Sequence, residues 1–266
     1  MLIAIISILL IVLHYIEKSK NINMLTNKIN NFTNIHIITY ENTNHAHLEF
    51  LKKSARKHGW QNIKVLGNGQ MWKGFGTKIF ECKRYLETLD KNDIAIIIDA
   101  RDVIINGSPY DFVRKIIEFN IQEKVLFSAE GGCCPEDKNQ YKPMIVTQEE
   151  RQFMEDKQTN GPFKYLNAGM LVGKVKNIID IYPYDMTYEE QDDQNAAVKY
   201  WYRNPHKIEL NYNEEIFSNA TWSINEHGYN KLDNGKFQSK VTGAVPVFIQ
   251  TQAQNWKVYN KLITEI

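Results

Sequence analysis

The segment Asp99-Ala100-Arg101-Asp102 sets two carboxylates three residues apart, directly after the aliphatic run Ile94–Ile98. Side chains leaving a buried strand at this spacing can converge on one hard cation. Carboxylates favour Mg2+ or Mn2+ and leave coordination positions open for diphosphate oxygens. Such an ion neutralises a departing diphosphate as a Lewis acid. The plainer use of the same residues is that Asp102 pairs with Arg101 or caps a turn. A second carboxylate pair, Asp192-Asp193, stands before Gln194 where a helical pattern opens. Acidic residues there cap a helix and meet its dipole favourably. They can also face a reacting sugar, as base for an acceptor hydroxyl or as support for oxocarbenium-like charge. Leu166-Asn167-Ala168-Gly169-Met170 predicts a turn with an amide side chain and a glycine that lets a ligand approach the backbone. Gly67-Asn68-Gly69 offers the same after an earlier apolar run.

These residues need elements to position them, and the first half of the chain alternates strand and helix patterns. Ile35–Tyr40 reads as a strand, and Ala46–His58 carries a helical stripe at Leu48, Leu51 and Ala55. Asn62–Leu66 is the next strand. Thr77–Leu89 repeats the helical spacing through Ile79, Cys82, Leu86 and Leu89. Ile94–Ile98 has no alternation, as in a strand buried on both faces. Pro109–Phe119 predicts another helix and Val125–Ala129 another strand. This order calls for a parallel sheet covered by helices on both sides. Ligands of such sheets bind at the carboxyl ends of the strands, where Asp99 and Asp102 fall. The second half is less regular: a long loop over Gly131–Lys164 with Pro135, Pro143 and Pro162, a short strand Ala168–Gly173, a helix Asp192–Tyr202 and a last strand Val245–Gln250.

Composition narrows the class. The chain has 266 residues, 43% of them hydrophobic, enough for one good core. Lysine plus arginine (32) nearly balances aspartate plus glutamate (31), so no global field draws a polyanion and nucleic acid is disfavoured as a partner. Cys82, Cys133 and Cys134 are too few for a disulfide framework or a zinc site, although Cys82 could pair with either of the others. Asn31, Asn106 and Asn219 match the N-glycosylation pattern. There is no Gly-x-Gly-x-x-Gly, P-loop, Gly-x-Ser-x-Gly or His-Glu-x-x-His motif, which argues against nicotinamide, ATP-driven, serine-hydrolase and zinc-protease chemistry. Residues 1–16 form a hydrophobic segment, apolar without interruption from Leu2 to Leu13, read first as a short signal-anchor and second as a cleaved signal. Residues 17–34 read as a polar linker and 35–266 as the folded domain. An anchor of this kind implies membrane association and an endomembrane (ER or Golgi) location. Lys18 and Lys20 lie after the segment and count against a lumenal domain, so orientation stays open.

The motifs taken in order carry a resemblance. Leu66-Gly67 with Met71-Trp72-Lys73-Gly74 is followed by Asp99-Ala100-Arg101-Asp102-Val103-Ile104 with Gly107-Ser108-Pro109. Then come Leu126-Phe127-Ser128-Ala129-Glu130, Cys133-Cys134-Pro135-Glu136, Tyr165-Leu166-Asn167-Ala168-Gly169 and Asp192-Asp193-Gln194. The set, from about Ile35 to about Trp256, resembles the glycosyltransferase domain of the multifunctional procollagen lysyl hydroxylases and its stand-alone relatives, including those of large DNA viruses. The resemblance implies a GT-A fold, a Rossmann-like, mostly parallel α/β sheet covered by helices with a less regular acceptor-side half. It implies Mn2+, a UDP-glucose or UDP-galactose donor, and transfer to hydroxylysine-linked acceptors in collagen-like chains, with anomeric retention for the glucosyl step.

By position, Asp99 and Asp102 would hold the metal and Lys78 would approach the diphosphate. Thr39 and Leu66 would border the nucleotide, and Arg101 would stand where the family has an aromatic against uracil. Asp192 and Asp193, with Asn167, would line the sugar site. Two positions depart from the family. Gln250 stands where a histidine would be the third metal ligand, and an amide oxygen coordinates Mn2+ less strongly than imidazole. Cys134 replaces a tryptophan near the acceptor. Alternatives to the transferase are therefore an inert nucleotide-sugar-binding module, a UDP-sugar hydrolase, and a transferase for a different glycan.

Overall fold

The computed structural model describes residues 34–133, 146–158, 160–182, 192–220, 227–252 and 256–266. Its centre is a six-stranded sheet in the order β2-β1-β3-β6-β5-β7. The strands are β1 (Ile35–Tyr40), β2 (Ile63–Leu66), β3 (Ile94–Ile98), β5 (Val125–Glu130), β6 (Tyr165–Lys174) and β7 (Ile208–Asn211). β1 pairs in parallel with β2 and β3, and β5 with β7. β6 alone runs antiparallel, between β3 and β5. The α/β, mostly parallel sheet expected from the alternation is present. The reversal of β6 brings its first residues to the same edge as the carboxyl ends of β3 and β5.

The helices follow from local sequence. α1 (Ala46–Lys57) buries Leu48, Leu51, Ser54 and Ala55 on one face, and α2 (Phe75–Leu86) buries Ile79, Cys82 and Leu86. α3 (Pro109–Ile116) opens on a capping box between Ser108 and Asp111, with proline in its first turn. α4 (Gln148–Lys157) has a second box between Thr147 and Glu150. α5 (Val175–Ile181) continues directly from β6, α6 (Asp193–Arg203) is capped by Asp192, and α7 (Trp256–Glu265) is the last element. One face of the sheet packs on α2, α5 and α6 through Ile38, Ile97, Phe127, Leu171, Ile178, Ala197 and Trp201. β3 sits mid-sheet, which is why an unbroken aliphatic run suits it: all five residues are buried.

A second sheet joins β4 (Val103–Ile105), β11 (Phe248–Thr251) and β8 (Phe217–Ala220), with β11 antiparallel to β4 and parallel to β8. α1 packs on β4, and Trp60 donates from Nε1 to Gly107 O at 2.8 Å. A short hairpin of β9 (Tyr229–Lys231) and β10 (Phe237–Ser239) completes the fold. Before β8, Glu214 takes a φ of 59° and accepts hydroxyl hydrogen bonds from Ser239 and Thr242.

Several expectations are corrected. The Gly131–Lys164 segment contains α4 and is not all loop. The last strand begins at Phe248 rather than Val245. Leu166–Met170 is not a turn but part of β6, where the pairing jumps from Phe127↔Leu171 to Ser128↔Asn167 and bulges the three residues between. Cys82 is a free, buried thiol, so it pairs with neither other cysteine. Asn106 and Asn219 are 1% and 0% exposed, inside the fold and closed to glycosylation. The N-terminal segment, Asn31, Cys134, Pro135 and Pro143 lie outside the described residues. Among the described residues no helix is long and apolar enough to cross a membrane.

Candidate active site

Two backbone tethers shape the turn after β3. Asp99 N donates to Gly169 O of the bulge at 2.8 Å, and Thr251 N of β11 donates to Asp102 O at 2.9 Å. The turn is thus held by β6 on one side and by the second sheet on the other. β11 is in register with β4 at Gln250↔Val103, which points the Gln250 amide at both carboxylates. Its Nε2 lies 3.1 Å from Asp99 Oδ2, and 3.4 and 3.3 Å from Asp102 Oδ1 and Oδ2. The Gln250 Oε1 is buried without a hydrogen-bond partner. A Cβ at Gly169 would lie 2.2 Å from Gln250 Oε1, so the glycine makes room for this amide.

Lys78, in the first turn of α2, closes the cluster from the opposite side. Its Nζ is 2.5 Å from Asp99 Oδ1 and 2.9 Å from Asp193 Oδ2, and the residue is 8% exposed. Burial opposes the charge on Lys78, but Asp193 and Asp99 outweigh it and hold its pKa well above the usual value. Asp102 is pushed up to about 7, by burial first and then by the charge of Asp99. Burial also raises Asp193. The two residues Asp192 and Asp193 have different surroundings. Asp192 caps α6, accepting from Gln194 N and Asn195 N at 3.1 Å, while Asp193 faces Lys78.

Beyond the bulge is a second acidic centre, built on Glu130 at the end of β5. Gln194 Nε2 donates to its Oε1 at 2.8 Å, and Gln252 donates to its Oε2. Burial raises this carboxyl to about 7 against the hydrogen bonds of Gln252, Gln194 and Asn167. Asn167 is itself pinned, its Oδ1 accepting from Gly169 N at 2.8 Å and from Ser128 Oγ at 3.2 Å. Sequence reasoning singled out Asn167 but not Glu130 or Gln252. The signal for Glu130 resembled that for Asp99: an acidic residue closing a strand that is apolar but for Ser128.

The remaining expected residues are Thr39 on β1, Leu66 on β2 and Arg101 in the turn after β3. Thr39 is fully buried, with Oγ1 unpartnered, and Leu66 is half-buried against the main core. Arg101 does not pair with Asp102. Its Nε and Nη2 reach Glu41 Oε2 and Oε1 at 2.7 and 2.9 Å. Burial alone would raise Glu41, but the hydrogen bonds from Arg101 and Thr43 bring it down to about 2. Gly67 (φ 88°) lies under the Tyr40 ring, where a Cβ would come within 2.4 Å of the aromatic carbons. Trp72 leans on Tyr40 and Phe75, each 5.6 Å away, and is 44% exposed.

Asp99, Asp102, Gln250, Lys78 and Asp193 therefore meet in one place, Asn167 joins the neighbouring acidic centre, and Thr39, Leu66 and Arg101 stand to the side. Among the described residues no group of three or more His, Cys, Asp or Glu side chains is gathered as metal ligands. The third donor beside the two aspartates is an amide. The α/β sheet thus carries an acidic cluster with a buried lysine at the carboxyl ends of its strands, the edge at which ligands of such sheets bind. The particular family is shown by sequence: residues 30–264 match the PLOD GT domain, and the chain belongs to that family.

The chain is 25% identical over 224 residues to an uncharacterized protein of Acanthamoeba polyphaga mimivirus, covering 79% of this chain and 44% of that protein. It is 28% identical over 198 residues to the human multifunctional procollagen lysine hydroxylase and glycosyltransferase LH3, covering 68% of this chain and 24% of the enzyme. A Caenorhabditis elegans multifunctional procollagen lysine hydroxylase and glycosyltransferase matches at 23% over 214 residues, 76% of this chain and 27% of that protein. The chain spans less than half the length of these relatives.

Proposed function

We propose that this chain is an Mn2+-dependent glycosyltransferase that moves glucose or galactose from a UDP-sugar to hydroxylysine-linked acceptors of a collagen-like protein. The observation that carries it is the convergence of Asp99 and Asp102, from the turn after β3, with Gln250 of β11, and with Lys78 and Asp193 opposite. The donor set fits a hard divalent cation. It has two carboxylates and an amide whose buried Oε1 lacks a partner; rotating that amide faces its oxygen to the aspartates. A cation held there would supply charge neutralisation for the leaving diphosphate. Lys78 is suited to share that load, and Asp193 to face the sugar. Thr39, Leu66 and Arg101 border the nucleotide, and Asp192 fixes the start of α6. Glu130 and Asn167, across the bulge, have the burial and hydrogen bonding to orient an acceptor hydroxyl or accept its proton.

The test is UDP release from UDP-glucose and UDP-galactose with Mn2+, with and without a hydroxylysine-containing collagen peptide. Peptide-stimulated release with mass added to the peptide is expected. Release without peptide would make the protein a UDP-sugar hydrolase or leave a different glycan as acceptor. A second reading, a nucleotide-sugar-binding module without turnover, is favoured by one feature: Gln250 presents N–H groups, not oxygen, to the aspartates. UDP binding without release under any condition would select it.

A further inference from the structure

Both oxygens of Asp99 are already engaged, Oδ1 by the Lys78 ammonium at 2.5 Å and Oδ2 by the Gln250 amide at 3.1 Å. The ammonium also bridges to Asp193. A buried lysine between the buried Asp193 and the half-buried Asp99 is a cation in residence, and a second cation entering beside Asp99 meets its repulsion at close range. Lys78 can yield only if its charge finds a new partner, because a buried ammonium left with fewer acceptors is costly. Asp193 stays as one partner but does not make good the loss of Asp99. The anionic oxygens of a nucleoside diphosphate would do so. Room for the movement exists: a cavity lined by Ile79, Cys82, Ala168, Tyr182 and Asp193 runs along the lysine stem.

We propose that Lys78 is a resident counter-ion that makes binding of a free divalent cation weak and couples it to arrival of the donor diphosphate. This rests on the metal-dependent reading above. In the free protein Lys78 bridges Asp99 and Asp193. When the diphosphate binds, Lys78 leaves Asp99 for it, and the freed Asp99 oxygen becomes available beside Asp102. Metal and nucleotide then each strengthen the other's binding by the same factor, as linkage requires.

The test titrates Mn2+ against the full chain, with and without UDP, by electron paramagnetic resonance of the free ion and by calorimetry. In the wild type UDP is expected to tighten Mn2+ binding by about tenfold or more, within the usual range of site–site coupling. Lys78→Met is expected to bind free Mn2+ roughly tenfold more tightly than wild type and to lose most of the UDP-dependent gain. Lys78→Gln keeps an N–H donor between the carboxylates without the charge, and should shift in the same direction if the methionine variant does not fold. Circular dichroism checks that each variant is native. Wild-type Mn2+ binding that UDP does not alter, or folded Lys78 variants whose free-Mn2+ affinity is unchanged or weaker, would overturn the inference alone. A wild type that binds no Mn2+ even with UDP would overturn the metal-dependent reading as well.

Discussion

Asp102 shows how much one residue's surroundings decide. It leaves β3 with Asp99, but its backbone is paid out into the second sheet through Thr251, and its carboxyl rests against Gln250. Asp102→Ala is expected to abolish Mn2+-dependent UDP-sugar binding, which calorimetry reads directly; undiminished binding would remove Asp102 from the metal site. Gly169→Ala tests the neighbouring contact. Its Cβ collides with the Gln250 amide, the free end of a flexible side chain, so Gln250 should swing away. The stability cost is expected near about 1 kcal/mol, the low end of overpacking, while Mn2+ affinity falls. Urea unfolding and a Mn2+ titration separate the two effects. If affinity held, Gln250 would not be a ligand.

At the scale of elements, the readable parts were those whose pattern is long or extreme. β3 is unbroken aliphatic sequence, and α1 and α2 repeat apolar residues at helical spacing, so their places and the strand-end position of Asp99 and Asp102 followed from physics alone. β4 has three residues and shows no period, yet it anchors Asp102. The β6 bulge is a register jump that only pairing with β5 defines, so Asn167 and Gly169 were misread as a turn. Gln250 and Lys78 were located by family resemblance, since no local pattern links either to Asp99. Helix α3 is a case where local rules suffice. Ser108→Ala removes the side-chain half of its capping box and should cost about 1 kcal/mol. UDP affinity should be unaffected, and a loss there would mean that α3 positions the site.

For the whole molecule, two buried carboxyls give opposite pH dependences. Glu41 has its pKa lowered to about 2, so its pairing with Arg101 stabilises the fold above the ordinary carboxylate range and is lost as pH falls toward about 2. Glu130 has its pKa raised to about 7, so the folded state holds a proton that the unfolded chain has released. That contribution is present below the ordinary carboxylate range and is lost as pH rises through about 7. Stability of the metal-free protein should therefore decline between about pH 5 and 7 from this group, and Glu130→Gln should flatten the decline. Urea midpoints across that range check it; an unchanged slope in the variant would assign the decline elsewhere.

The pairing of β11 with β4 also sets a timetable. Gln250 and Asp102 are 148 residues apart. Contacts this distant in sequence form late, since the intervening chain must be gathered first. During synthesis the β1–β3 half can assemble while the acidic cluster is still open, and the cluster closes only once β11 has emerged. A chain cut short before Phe248 would keep both aspartates but not their closing strand. Closure of the acidic cluster is thereby tied to the arrival of β11.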